Sequence, residues 1–160
     1  MSVLKKLGDY LKQNKVRYEL IPHAEVFTAQ ATAQLEHVSG KKMAKVVVVR
    51  TDSDYVMTVL PAPNRVSFTK LRNLIGAKEI RLATEEELQG LFPDCEVGAM
   101  PPFGQLFNLP FFVDIALSEN KDIVFNAGTH KDSVKMSYRD YARLAQPELV
   151  EFSEEPVSSA

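Results

Sequence analysis

Hydrophobic positions recur along this chain with two different periods, and the switches between them mark out its elements. Val3, Leu4, Leu7, Tyr10 and Leu11 share one face of a 3.6-residue repeat, which predicts an amphipathic helix over 3–14. A short strand over 16–21 ends at Pro22, which has no N–H to give a ladder. Thr28 is placed to cap a small-residue helix over 29–38, closed by Gly40; its alanines would let it lie close to a sheet. The run from Met43 to Arg50 contains Val46, Val47, Val48 and Val49 in succession, the pattern of a central buried strand. It predicts a strand over 44–51 that pairs with 55–60 across Asp52-Ser53-Asp54.

The second half repeats these signals. Ser67 caps a helix stopped by Gly76, and a short strand covers 79–82. Thr84 and Glu87 have capping-box spacing and open a helix to about Leu91, with three glutamates at its positive end. From 93 to 110 the chain is rich in Pro and Gly, and no periodicity survives. A loop this long inside a compact domain is more often functional than not. Strands follow over 111–115, 123–126 and 134–136, and Ser137 caps a last helix over 138–145. Residues 146–160 are polar and acidic and predict a frayed tail on a single domain of residues 1–145. Hairpins mixed with helices in this order point to α+β with a mixed, mostly antiparallel sheet, not to alternating βαβ winding.

Composition narrows the class without choosing a function. The 160 residues are 45% hydrophobic and 25% charged, ordinary values for one globular domain. No apolar run reaches the length of a membrane span, and no apolar core follows the charges of the first residues, so a cytoplasmic location and no membrane partner are expected. The net charge of −2 argues against a general nucleic-acid coat protein. Four glutamates after Ala145 conceal a small positive excess in the body, about +2, compatible with touching a few phosphates. Cys95 is the single cysteine and lies between Asp94 and Glu96, which disfavours a thiolate. His23, His37 and His130 lack metal-ligand spacing; no metal and no cofactor are expected.

Three segments carry candidate chemistry. Lys45 heads the valine-rich strand, where an unpaired ammonium is expensive unless it snorkels to solvent. Gly98-Ala99-Met100-Pro101-Pro102-Phe103-Gly104 is a stiffened loop whose backbone N–H groups could hold an oxyanion or carbonyl; it matches neither the Walker nor the dinucleotide pattern. Asn126-Ala127-Gly128-Thr129-His130 brings a histidine to the end of a strand. Asp114 either pairs with Lys45 across the sheet or faces water. No Gly-x-Ser-x-Gly elbow appears, and no residue presents itself as a covalent nucleophile.

The ordered set of His23 and Thr28, Gly40, Lys45, Leu60-Pro61, 81–88, Gly98-x-x-x-Pro102-Phe103-Gly104 and Gly128-Thr129-His130 resembles the YbaK/prolyl-tRNA-synthetase-associated (ProX-like) aminoacyl-tRNA editing-domain family, over nearly the whole chain. The resemblance implies a barrel-like sheet surrounded by helices, with a pocket beside it. It also implies a free-standing trans-editing hydrolase that removes a wrong amino acid from tRNA by a positioned water, without a covalent intermediate. It carries catalytic roles to Lys45, Gly98 and His130. Substrate contacts go to His23, Thr28, Pro102, Phe103, Gly128 and Thr129; separately, Lys41 and Lys42, just before the Lys45 strand, are the best-placed lysines to meet phosphates of the acceptor end. The implied partners are the tRNA acceptor end and an aminoacyl-tRNA synthetase. Val46 follows Lys45 where some alanine-specific relatives have Asn, so alanine specificity does not carry over. The alternative is a non-catalytic aminoacyl-tRNA or small-ligand binding module on the same fold.

Overall fold

The computed structural model describes residues 3–25 and 39–156. The helix expected over 29–38, with Thr28, lies outside them. Helix α1 (Val3–Gln13) presents Leu7 and Leu11 to the main core. Strand β1 (Tyr18–Pro22) pairs antiparallel with β8 (Asp132–Ser137), which pairs antiparallel with β7 (Asp122–Asn126). A second sheet is built on the hairpin of β2 (Ala44–Thr51) and β3 (Tyr55–Pro61), in the register Lys45↔Leu60 and Val49↔Val56. The short β5 (Ile80–Leu82) flanks β2 antiparallel, and β6 (Phe111–Asp114) flanks β3 in parallel.

The helices start and stop where their end residues dictate. Ser67 accepts from the Lys70 N–H at the head of α2 (Phe68–Ile75), and Gly76 ends that helix at φ 76°. Thr84 and Glu87 form the capping box of α3 (Glu85–Leu91). Ser137 accepts from the Asp140 N–H at the start of α4 (Tyr138–Ala145).

Two cores result. The larger lies between the sheets and under α1 and α4, and contains Ala44, Val48, Met57, Val59, Phe103, Phe125, Val134 and Tyr141. The smaller lies on the other face of the β2–β3 sheet, where Val49, Val56 and Leu60 meet Leu71 of α2 and Phe152.

The α+β class and mixed sheet are present, but among the described residues no sheet closes into a barrel. The five-stranded sheet runs β5-β2-β3-β6-β9, with β9 over Glu148–Val150, and the three-stranded one β1-β8-β7; both are open, and among the described residues they meet at a single parallel bridge, Met43↔Val124. Closure needs a continuous staggered register around the ring. Here the outer strands β5 and β9 have three residues each and end the larger sheet.

Within the span expected to fray, residues 148–150 and 153–154 are paired strands. Strand β9 extends the sheet parallel to β6, and β10 (Ser153–Glu154) pairs with β4 (Arg65–Val66). The cause is Asp114, which is 2% exposed. Its Oδ1 accepts from the Phe152 and Ser153 N–H groups, both at 2.9 Å, and its Oδ2 from the Ala116 N–H at 3.0 Å. Asp114 therefore serves the backbone, and neither pairs with Lys45 nor faces water.

Candidate functional site

Alternation along β2 decides where Lys45 points. Ala44, Val46 and Val48 turn into the larger core, so Lys45 shares the opposite face with Met43, Val47 and Val49. Lys45 is half-buried, and desolvation lowers its pKa from the usual lysine value. No carboxylate pairs with it among the described residues. An ammonium in this position is a standing attraction for an anion.

The same face continues onto the three-stranded sheet through the Met43↔Val124 bridge. Ile123 and Phe125 of β7, and Ala127 just beyond it, enter the larger core, which leaves Val124 and Asn126 on the opposite face, where both are buried. Across the ladder, Ser133 of β8 stands opposite both Asn126 and Ile21. His23, just beyond β1, reaches the Ser133 Oγ at 3.0 Å through Nε2, while its Nδ1 lies 2.7 Å from the Ala24 carbonyl. A carbonyl only accepts, so Nδ1 carries the proton and Nε2 accepts from the Ser133 hydroxyl.

The glycine loop is pinned to the β7–β8 turn. The Glu96 N–H donates to Gly128 O, the Gly128 N–H to Ala99 O and the His130 N–H to the Glu96 carboxylate, each at 2.8 Å. Nε2 of His130 donates to Val97 O at 2.7 Å, so the ring is a strut that holds the loop. Gly98 and Gly128 have φ of 86° and 98°, the left-handed region that glycine adopts at no steric cost. Gly98 is exposed, and its N–H meets no acceptor among the described residues.

The other expected site residues divide. Lys41 and Lys42 lie exposed in a 3₁₀ turn (Gly40–Lys42) three residues before Lys45. Thr129 Oγ1 donates to the Asp132 carboxylate at 2.7 Å and shapes the β7–β8 turn. Pro102 O receives the Tyr141 hydroxyl at 2.6 Å. Phe103 is fully buried, edge-on to Phe125 and Tyr141, and acts as the loop's anchor in the core. Burial, and secondarily Asp94, pushes the Cys95 thiol up to about 12, which removes it as a nucleophile. Among the described residues no group of three or more His, Cys, Asp or Glu could hold a metal ion. No described helix is long and apolar enough to cross a membrane.

Asn126 and Ser133 were not singled out from the sequence as site residues. The available signal was period two: with Ile123, Phe125 and Ala127 on one face of a strand, Asn126 is a polar side chain on the other.

The family model for the aminoacyl-tRNA editing domain matches residues 23–144. The multifunctional Ser/Thr-tRNA deacylase ProXp-y of Escherichia coli (strain K12) is 31% identical over 147 residues, covering 89% of this chain and 87% of that one. A proline–tRNA ligase of Sulfurihydrogenibium sp. (strain YO3AOP1) is 32% identical over 105 residues, 64% of this chain and 18% of the ligase. Among solved structures, hypothetical protein APE2540 superposes with a TM-score of 0.84 at 22% identity, over 93% of this chain and 99% of its own. A candidate trans-editing enzyme for prolyl-tRNA synthetase superposes with a TM-score of 0.82 at 20% identity, over 96% and 98%. At these identities the two structures speak for the fold.

Proposed function

The chain belongs to the aminoacyl-tRNA editing domain family and is an aminoacyl-tRNA deacylase; on that premise we propose that it acts in trans on tRNA mischarged with a small hydroxyl-bearing amino acid, serine or threonine. The substrate class follows the E. coli relative, which is named for serine and threonine. The observation that carries the reading is Lys45, a half-buried ammonium with no carboxylate partner among the described residues, on the sheet face opposite the larger core. Such a charge favours an anion, here the terminal phosphate of the acceptor end or the oxyanion of the reacting ester.

An aminoacyl ester is already activated, so a positioned water suffices and no protein nucleophile is needed. As water adds to the ester carbon, the carbonyl oxygen gains negative charge. The Gly98 N–H stabilises that charge as a fixed donor. The tetrahedral intermediate then expels the ribose oxygen, which takes up a proton, and the free amino acid leaves. A vicinal ribose hydroxyl orients the water. His130 keeps the Gly98 peptide in place through Val97. Lys41 and Lys42 contact phosphates of the acceptor end, and an aminoacyl-tRNA synthetase is the second partner, as the source of the mischarged tRNA.

The test is a deacylation panel of tRNAs carrying serine, threonine, alanine and larger amino acids, with the folded state verified in parallel. Release of serine or threonine is the expected result. A folded protein that binds these tRNAs and hydrolyses none is a binding module.

A further inference from the structure

Asn126 is 8% exposed, and its Oδ1 is buried without a hydrogen-bond partner. A buried polar atom left in this state costs about 1–3 kcal/mol, so it calls for an explanation. None of the described residues beside it supplies one. Ser133, its ladder partner, directs its hydroxyl proton to His23 Nε2. Its strand neighbour on the same face, Val124, is apolar, and so are Met43 and Ala62, which pack there. Two residues beyond the Met43↔Val124 bridge, β2 and β7 present Lys45 and Asn126 on this one face. Gly128, which anchors the glycine loop, follows Asn126 by two residues.

An acceptor of this kind takes a donor from the ligand. An aminoacyl ester offers an α-ammonium and, for serine and threonine, a side-chain hydroxyl. The Lys45 charge lies on this face, and a second cation beside it would be repelled, so the neutral donor fits the electrostatics. We infer that Asn126 is the specificity residue whose carboxamide accepts a hydrogen bond from the substrate's side-chain hydroxyl. This inference rests on the serine/threonine reading of the site proposed above.

The test is Asn126→Leu, close in shape and without polar atoms, assayed on seryl-, threonyl- and alanyl-tRNA beside the wild type. The hydroxyl esters should lose about tenfold or more in kcat/KM, the worth of one buried hydrogen bond, while alanyl-tRNA stays level or improves. The melting temperature should hold or rise, because an unpaired polar group has been replaced by an apolar one. Should leucine perturb the fold, Asn126→Ala must give the same split between hydroxyl and alanyl esters. A parallel loss on all three esters, or no change on any, overturns the assignment and leaves the proposed function standing. A wild type inactive on both hydroxyl esters overturns the substrate reading and this assignment with it.

Discussion

The α-carbon of Gly98 sits against the His130 ring: a Cβ built there would lie 3.6 Å from Cε1 and 3.9 Å from Nε2. Those are ordinary van der Waals distances, so alanine finds the space it needs. It does not find the backbone, because φ at this position is 86°. An L-residue there costs about 1–2 kcal/mol or moves the loop. Either response turns the Gly98 N–H away from its present direction. Gly98→Ala should therefore lower the melting temperature by a few degrees and the deacylation rate by about a hundredfold or more, the usual cost of a lost oxyanion donor, measured on the same preparation. Losses of equal free energy in both would reduce the loop to scaffold.

Lys45→Met separates activity from stability. The ammonium is half-buried with its pKa lowered by desolvation, so at neutral pH the folded state holds a charge that the unfolded state solvates better. The relative cost is present in full below the folded pKa and is relieved as pH rises from there to the unfolded lysine value, about 10.4. Methionine keeps the stem and removes the charge. Deacylation should fall by about a hundredfold or more while the thermal midpoint at pH 7 is unchanged or higher. A variant that turns over like the wild type would remove Lys45 from the chemistry; one that unfolds would make it structural.

The same lowered pKa sets a pH dependence. If the ammonium form acts on the ester, the background-corrected rate should decline on the alkaline side below the usual lysine range of about 10.4. Lys45→Arg, whose guanidinium stays charged, should lose that alkaline limb whatever its absolute rate. A limb of the same position in Lys45→Arg would assign the titration to another group.

How much of this was legible depends on the range of the interaction. The caps at Ser67, Thr84 with Glu87, and Ser137 were readable because each is settled within four residues, and all three are present. The β9 and β10 strands were not. Their acidic sequence resembles a tail, and what holds them is Asp114, 38 and 39 residues away from the N–H groups it accepts. The barrel expectation failed for a similar reason: the strand signals were right, but the junction of the two sheets is, among the described residues, one bridge at Met43 and Val124 and carries no local signature. At the site, the segments 98–104 and 126–130 stood out by composition. That they are bound to each other through Glu96, Ala99 and His130 follows from positive φ at two glycines and from long-range hydrogen bonds. Phe103 belonged to the same motif but turns inward to Phe125 and Tyr141.

Asp114→Ala should release the C-terminal segment. The change strips a buried acceptor from the N–H groups of Phe152, Ser153 and Ala116. An unsatisfied buried N–H costs about 1–3 kcal/mol, so the loss should be several kcal/mol unless the segment detaches. Detachment would expose Phe152, which is fully buried against the Val49, Val56, Leu60 and Leu71 cluster. Hydrogen exchange should show early loss of protection over 148–154, with 122–137 retained. Uniform loss across both regions would mean that Asp114 holds the whole fold and not this segment.

The grip on tRNA should be light. Lys41 and Lys42 stand exposed in the turn that leads into β2, at the Lys45 end of the strand. Each phosphate neutralised contributes about −0.9 to the slope of log affinity against log salt on duplex and about −0.7 on single strand. A protein with a net charge of −2 that touches one to three phosphates through this turn should give a shallow slope, of about −1 to −3. Replacing both lysines with glutamate should weaken tRNA binding and flatten the slope, yet leave the ranking of amino acids released unchanged, because these side chains lie in the turn before β2 and not on the Asn126 face. A slope of about −5 or steeper would require six or more contacts and would place the tRNA across a far wider basic surface. The concavity lined by Arg50, Arg72, Lys78 and Arg81 is then the surface to reverse next.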